Sequence, residues 1–336
     1  MRPAWFLFLV LLWLPGLGAA APAIGMFTIV DGDAIVIRGA QKFAATEGLP
    51  VQADDIVHTA DSTRIARVEL SGGGAFDLGP ATRLWLRPRF AEPRSSQPIH
   101  LYLSAGWLKL TGSPAHKLAM ASPRADLADL AGVAVVRIAD NASFLFIESG
   151  SGQLVERAQG QVQRTRRLKE GEAFDRRGGD VGAVIARPAP DMIETMPRSF
   201  ADSLPLRASR FDRLQIDPES PRDVTYQDVA GWIDAERTLR PAFVQRWAPQ
   251  AHDKQFRASL VAGLRSHPEW TRVLFPEKVA VRKRPAATPV LAARPVYAEP
   301  TTPLPARFAV SESVPQRSLR GDAERDPLRP WEARKR

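Results

Sequence analysis

Between residues 24 and 187 the chain alternates short apolar runs with turns rich in glycine, aspartate and serine. Ile65–Leu70 alternates apolar and polar residues, which is typical of a β-strand with one buried face. Apolar runs flank Asp31-Gly32-Asp33 and predict a β-hairpin, because Asp-Gly supplies the positive φ angles of a tight turn. Further strands are predicted at Ala75–Leu78, Leu84–Leu86, Ile99–Leu103, Trp107–Leu110, Val133–Ile138, Ser143–Ile147, Gly152–Glu156 and Glu172–Phe174. About ten short strands with turn signals between them predict an all-β sandwich or roll over residues 24–187.

A helical pattern replaces this alternation over residues 223–276, after a proline-rich linker at 188–222. Thr225 and Asp228 have the spacing of a capping box, and the helix that follows is predicted to end at Leu239, because Pro241 can only begin the next one. A cap at 266–269 predicts a short last helix. Between these two helices, two apolar stripes predict two more. The first stripe is Phe243, Val244 and Trp247, and the second is Phe256, Leu260, Val261 and Leu264. We expect a small all-α domain with its aromatic side chains in the core, either autonomous or packed on the sheet.

The two ends of the chain have different compositions. Residues 1–20 combine Arg2, an apolar run and small residues, which predicts a secretory signal peptide cleaved after Ala20 or, alternatively, after Ala23. The apolar run is about ten residues long, against the ~20 of a membrane span; a retained membrane anchor is the alternative. Residues 277–336 are rich in proline, alanine and arginine without apolar periodicity, so we expect a disordered basic tail.

Charge is distributed unevenly along the chain. The net charge is +9, and residues 276–336 hold 13 basic and seven acidic residues, so most of the excess lies in the tail. Nucleic acid is not an expected partner of an exported chain. The tail and two arginine-rich runs, Arg164–Arg167 and Arg282–Arg284, instead predict contact with an anionic envelope polymer such as lipopolysaccharide. Solubility without any partner is the alternative.

Several chemistries are excluded by residue content and spacing. The chain has no cysteine, which excludes thiol catalysis, thiolate metal sites and disulfides. Its five histidines lie at least 15 residues apart, which excludes a local histidine metal motif. Ser71–Gly74 lacks the Gly-Lys-Ser/Thr ending of a phosphate loop, and Ser149–Gly152 lacks the spacing of a nucleophile elbow. We therefore expect no catalytic residue, no cofactor and no metal.

The remaining charged candidates have simpler interpretations. Asp54, Asp55 and His58 could bind a cation, but their position at a strand entry favours capping of the backbone. Asp31 and Asp33 are interpreted as turn formers. The last group, which we expect to form solvated ion pairs on a helix surface, is Asp234, Glu236, Arg237 and Arg240.

A series of short motifs resembles a known family. In chain order the motifs are Val30–Gly39, Glu47–Gly48, Asp54–Thr59, Ala66–Gly72, Asp77–Leu84, Gly106–Leu110, Ser149–Gly150 and Leu168–Glu172. Their order and spacing over Gly25–Arg177 resemble the FecR domain, a periplasmic all-β module of bacterial envelope proteins. Regulators of that family place an anti-sigma segment and a membrane helix before the module. Here the predicted signal peptide precedes it directly, so the resemblance implies the module without the sigma-factor switch, and residues 119–133 have fewer glycines than the family pattern.

The sequence thus predicts a periplasmic, non-enzymatic envelope protein. Its FecR-like domain would act in recognition, scaffolding or signalling, with an envelope protein or glycan as partner. One alternative is a cell-wall or polysaccharide hydrolase that uses a pair of Asp/Glu carboxylates about 5–10 Å apart. Another is a structural protein anchored by its tail.

Overall fold

The computed structural model describes residues 22–277, apart from 91–94, 96–97, 159, 180 and 215. The predicted signal peptide, the tail after Glu277 and the Arg282–Arg284 run lie outside the described residues. The described residues belong to one compact unit. Within them, no helix has the length and hydrophobicity to cross a membrane.

The described residues form sixteen strands and five short α-helices, which confirms the mainly β fold with a small helical region behind it. The strands are β1 Ala23–Asp31, β2 Ala34–Arg38, β3 Gln41–Ala44, β4 Pro50–Gln52, β5 Ile56–Thr59, β6 Ile65–Leu70, β7 Ala75–Leu78, β8 Arg83–Leu86, β9 Leu101–Thr111, β10 Leu118–Ala121, β11 Ala125–Ala139, β12 Ala142–Ala158, β13 Gln161–Lys169, β14 Ala173–Arg177, β15 Ala183–Ile185 and β16 Arg222–Asp223. The helices are α1 Pro190–Thr195, α2 Tyr226–Ile233, α3 Arg240–Trp247, α4 Lys254–Ala262 and α5 Thr271–Leu274.

Three long strands, β9, β11 and β12, connect two halves of the sheet because each changes partner along its length. The first part of β9 pairs with β8 and the last part with β7, and Gly106 lies between them with φ +96°. Likewise, β12 pairs first with β14 and then with β13. The strands predicted separately at 99–103 and 107–110 are therefore one continuous strand, as are those at 143–147 and 152–156. One apolar core draws side chains from both halves of the sheet.

The predicted hairpin at Asp31-Gly32-Asp33 is wrong. Strand β1 pairs with β4 and β6, whereas β2 pairs with β3 and β5. Gly32 has φ +113°, and a Cβ there would lie 2.6 Å from the Cα of Thr63. Gly32 thus has the positive φ that the sequence predicts. The chain turns a corner there, but β1 and β2 on its two sides pair with other strands and not with each other. The Ser71–Gly74 turn does join an antiparallel pair, β6 and β7.

The helical region packs on the outer surface of β2, β5, β8 and β9. Trp232, Phe243 and Trp247 are fully buried against strand residues that include Trp85 and Tyr102. The helical region is therefore docked on the sheet rather than autonomous, and the two share one apolar core. The prediction that the aromatic side chains serve as core is confirmed.

The details of the helices differ from the prediction in three places. The Thr225–Asp228 capping box is present, but α2 ends at Ile233 rather than at Leu239, since a turn brings Leu239 into the core. Val261 is 44% exposed and does not belong to the apolar stripe of α4. No side chain caps the turn at 268–270, so the cap predicted at 266–269 is wrong.

Residues 190–211, in the stretch predicted as a linker, pack on the other outer surface of the sheet. Met192 of α1 and Phe200 are buried against Trp107, Val135 and Phe144. We call residues 196–211 the strap. Helices thus cover one outer surface of the sheet, and α1 with the strap covers the other.

Candidate functional site

Charged side chains lie buried between the strap and the sheet. Arg67 donates to Asp77 at 2.8 Å, and both side chains are nearly inaccessible. Burial raises the pKa of Asp77, and the Arg67 charge opposes this rise. Glu69 accepts hydrogen bonds from the backbone N–H groups of Arg207 (2.8 Å) and Ala208 (3.0 Å). These carboxylates are therefore held by the fold and closed to solvent.

The predicted capping role of the Asp54–His58 group is correct for Asp55 alone. Asp55 accepts a hydrogen bond from the Gln52 N–H (2.8 Å) and a bidentate pair from Arg38 (2.7 and 2.9 Å). Asp54 instead pairs with Arg89 at the surface. His58 accepts a hydrogen bond from the Trp232 indole N–H at 2.7 Å. The three side chains thus take three different partners, and the structure does not bring them together as a cation site.

Burial and the Arg83 charge lower the pKa of His58 to about 4, and Asp228 opposes the shift. At neutral pH the ring is uncharged, so its Nε2 can accept from the indole of α2. His58 thus joins strand β5 to the helical region.

The other acidic candidates also have structural partners. Asp31 pairs with Arg64 at the exposed corner. The Asp234 carboxylate accepts a hydrogen bond from the buried ring of His267, with 3.0 Å between Nδ1 and Oδ1. Arg240 donates to the backbone carbonyls of Ala235 and Ser266 and pairs with Glu269 at 3.5 Å. For Asp234 and Arg240, the prediction of simple solvated ion pairs on one helix surface is therefore wrong.

Strand β13 carries the arginine-rich run that the sequence singles out. It pairs with β12 alone among the described strands, so its second edge has no strand partner there. Eight of its nine residues are exposed, on both faces of the strand. We call β13 the basic strand; its cationic side chains are those of Arg164, Arg166, Arg167 and Lys169.

The basic strand keeps its charge because its neighbours do not neutralise it. Arg164 lies opposite Glu156, whose carboxylate points inward and accepts from the Gly182 N–H at 2.7 Å. Arg167 donates to the uncharged hydroxyl of Ser151 at 2.7 Å. No ion pair links Arg164 or Arg166 to another of the residues described. The strand therefore presents an exposed row of positive charge.

A second basic feature is a cavity of about 210 Å³ beside β10. Arg87, His100, His116 and Lys117 line it, and no acidic residue does so in the described part of the chain. Burial, followed by the Arg87 charge, lowers the pKa of His100. The cavity therefore has two permanently charged side chains, from Arg87 and Lys117.

A cavity of about 400 Å³ lies in the helical region where α2 and α4 begin. We call it the α2–α4 groove. Amides, hydroxyls, carboxylates and two aromatic rings line it, from Asp223, Thr225, Tyr226, Gln227, Gln250, Asp253, Gln255, Phe256 and Ser259. Burial and then the nearby Asp234 charge raise the pKa of Tyr226, so its ring stays uncharged. The sequence did not reveal this groove, because its residues come from two separate segments, 223–227 and 250–259, and form no motif.

Comparisons with known proteins give only a coarse relation. No protein-family model and no curated protein matches the chain. A crystal structure of a proposed anti-sigma factor from Parabacteroides distasonis is similar with a TM-score of 0.30 and 13% identity, over 39% of this chain and 57% of that one. A second such structure from the same organism gives 0.27 and 14%, over 35% and 53%. The similarity thus spans just over half of each of those chains, and membership of the FecR family stays a prediction.

Proposed function

We propose that the protein is an exported, non-enzymatic recognition protein of the bacterial envelope, which binds an anionic envelope polymer through the basic strand. The exposed cationic row on β13 carries this proposal. The predicted signal peptide supports export, and the FecR-like motifs support an envelope setting. In this proposal the β domain acts as a rigid scaffold that presents the strand.

The geometry of β13 suits a long polyanion. Alternate residues lie about 6.7 Å apart along a strand, so Arg164 and Arg166 project on one face and Arg167 on the other. Each Lys or Arg near an anionic surface contributes about 1 kcal/mol. Charged residues on an edge strand also discourage pairing with a foreign strand. A flexible anionic chain can contact both faces of β13 without adding a strand to the sheet.

The state of the carboxylates supports a non-enzymatic role. A hydrolase would need two carboxylates facing substrate across a cleft. Glu69 and Asp77 lie behind the strap, and Asp126 and Glu156 are buried beside arginines. Asp223 and Asp253 both line the α2–α4 groove, but the Asp253 carboxylate is engaged as the cap of α4, accepting from the Phe256 N–H at 2.8 Å. These contacts favour recognition over hydrolysis.

Binding of the mature protein to immobilised lipopolysaccharide tests the proposal. The variant R164Q/R166Q/R167Q removes three positive charges from the basic strand. At about 1 kcal/mol for each charge, we expect affinity to fall about 100-fold and the salt dependence of binding to weaken.

The matched control is R210Q/R213Q/R272Q, which removes the same charge from exposed positions outside the basic strand. We expect it to weaken binding less than about tenfold, because location matters beyond net charge. Equal loss in the two variants, or wild-type binding to neutral dextran as tight as to lipopolysaccharide, would contradict the proposal.

A further inference from the structure

We propose that the α2–α4 groove is a binding site for an uncharged pyranose sugar. The groove lies in the helical region and uses none of the residues of the basic strand, so this inference goes beyond the polymer recognition proposed above.

The walls of the groove are fixed by contacts that need no ligand. Thr225 and Asp228 form a capping box at the start of α2, and Lys42 on β3 holds Asp228 at 2.6 Å. Asp223 is placed by pairing of β16 with β3, opposite Gln41. Across the groove, the Asp253 carboxylate caps α4. A site that is formed before binding costs less ordering entropy when a ligand enters.

The lining excludes an anionic ligand. Lysine, arginine and histidine are absent from the described lining, while Asp223 and Asp253 contribute carboxylates. Both helix starts have amides that already donate to their own caps, Asp228 N–H to Thr225 and Phe256 N–H to Asp253. The caps therefore occupy N–H groups at both helix starts, and the Asp223 and Asp253 carboxylates repel phosphate or sulfate.

The polar groups match sugar hydroxyls instead. Three glutamine amides, from Gln227, Gln250 and Gln255, line the groove, and each provides two donors and an acceptor oxygen. A sugar hydroxyl both donates and accepts, so it can pair with either end of an amide. Gln227 and Gln255 are exposed, so their amides can reach a bound molecule. Asp223 and Asp253 add acceptors for hydroxyl protons.

The aromatic part of the lining is the half-buried Tyr226 ring, which packs on Phe256, itself only 3% exposed. The rings of Tyr226 and Phe256 meet edge to face, with centroids 5.7 Å apart and planes at 82°. The Tyr226 hydroxyl lies toward Gly263, since a Cβ at Gly263 would meet it at 3.5 Å. The tyrosine thus contributes its ring. The C–H face of a pyranose ring is complementary to the negative face of an aromatic ring.

The size of the cavity agrees with this class of ligand. Small-molecule sites have volumes of about 300–1,000 Å³ and combine apolar surface with a few placed polar groups. At about 400 Å³ the groove lies at the lower end of that range, which suits one or two sugar rings.

Saturation-transfer NMR with N-acetylglucosamine and methyl glucoside tests the inference on the full mature chain. We expect saturable binding in the millimolar range and a weakening of about tenfold or more in Q227A/Q255A, because two hydrogen-bonding amides are lost. Both substituted side chains are exposed, and circular dichroism with thermal unfolding verifies that the variant folds. We expect Q245A, on the exposed face of α3, to bind as the wild type does.

Three results would overturn the inference. They are the absence of saturable binding by either neutral sugar, unchanged affinity in the folded Q227A/Q255A variant, and displacement of the sugar by glucuronate or spermidine at lower concentration. The arginine variants of the basic strand serve as an independent reference. Loss of lipopolysaccharide binding in them, with sugar binding intact, would show that the two sites are separate.

Discussion

At the scale of single residues, the partner of a polar side chain is set by contacts that are distant in the sequence. His58 lies beside Asp54 and Asp55 in the chain, and local spacing gives it a capping or cation-binding role. In the structure its partner is Trp232, 174 positions away, with the two rings stacked at 6.1 Å. Local patterns could predict the Asp55 cap, because that bond spans three residues. They could not predict a bond that forms only when the helical region docks.

The first prediction concerns the pH dependence of stability. Between pH 6.5 and about 4 the unfolded chain binds a proton at His58 that the folded chain does not. Stability should therefore fall as pH decreases through this window. Urea unfolding at pH 7 and 4.5 should show H58Q losing roughly 2–3 kcal/mol less than the wild type, since the pKa shift is removed. In the control H252Q, which changes an exposed histidine, the pH dependence should stay that of the wild type.

The second prediction concerns the corner at Gly32. Alanine there places a Cβ 2.6 Å from the Thr63 backbone at φ +113°, so G32A should lose about 2–4 kcal/mol of unfolding free energy. Gly39 is the matched control, because it also has positive φ (+61°) but open space around it. G39A should lose about 1 kcal/mol. Equal losses of unfolding free energy in G32A and G39A, measured by chemical denaturation, would contradict the close approach of Gly32 to Thr63.

At the scale of elements, the strap shows where sequence patterns stop being informative. Its backbone is held by charged side chains from the sheet: Lys109 donates to the Phe200 carbonyl and Arg67 to the Leu204 carbonyl (3.2 Å). Such bonds leave no periodic pattern in the strap itself. The region of the strands was predictable because alternation and turn residues are local signals, but about ten strands were predicted where the described residues form sixteen. Their fusion into long bent strands depends on partners that change midway, which local signals do not contain.

The third prediction tests the attachment of the strap. E69Q removes a buried charge beside Arg67 and weakens the bonds to two strap amides, so it should cost about 3 kcal/mol. Hydrogen exchange should be faster at Arg207 and Ala208 in the variant. E170Q changes an exposed carboxylate and should leave both measurements unchanged. Unaltered exchange at Arg207 in E69Q would show that Glu69 does not hold the strap.

At the scale of the whole molecule, both outer surfaces of the sheet are covered, one by helices and the other by α1 and the strap. The surfaces left for a partner are therefore edges and grooves, chiefly the basic strand and the α2–α4 groove. The sequence indicated the charge of the first, since three arginines within residues 164–167 form a visible run, but it did not predict a strand there. It could not predict the second, since the groove exists only once α2 and α4 pack together.

Site-specific crosslinking in cells tests the central proposal most directly. A photoreactive residue replaces Val162 on the basic strand, which is 53% exposed, or Ile193 on α1, which is 55% exposed and serves as the matched control. We predict that the periplasmic fraction yields a crosslink to an anionic envelope polymer from position 162 and none from position 193. Equal crosslinking from both positions, or a protein confined to the cytoplasm, would contradict the account.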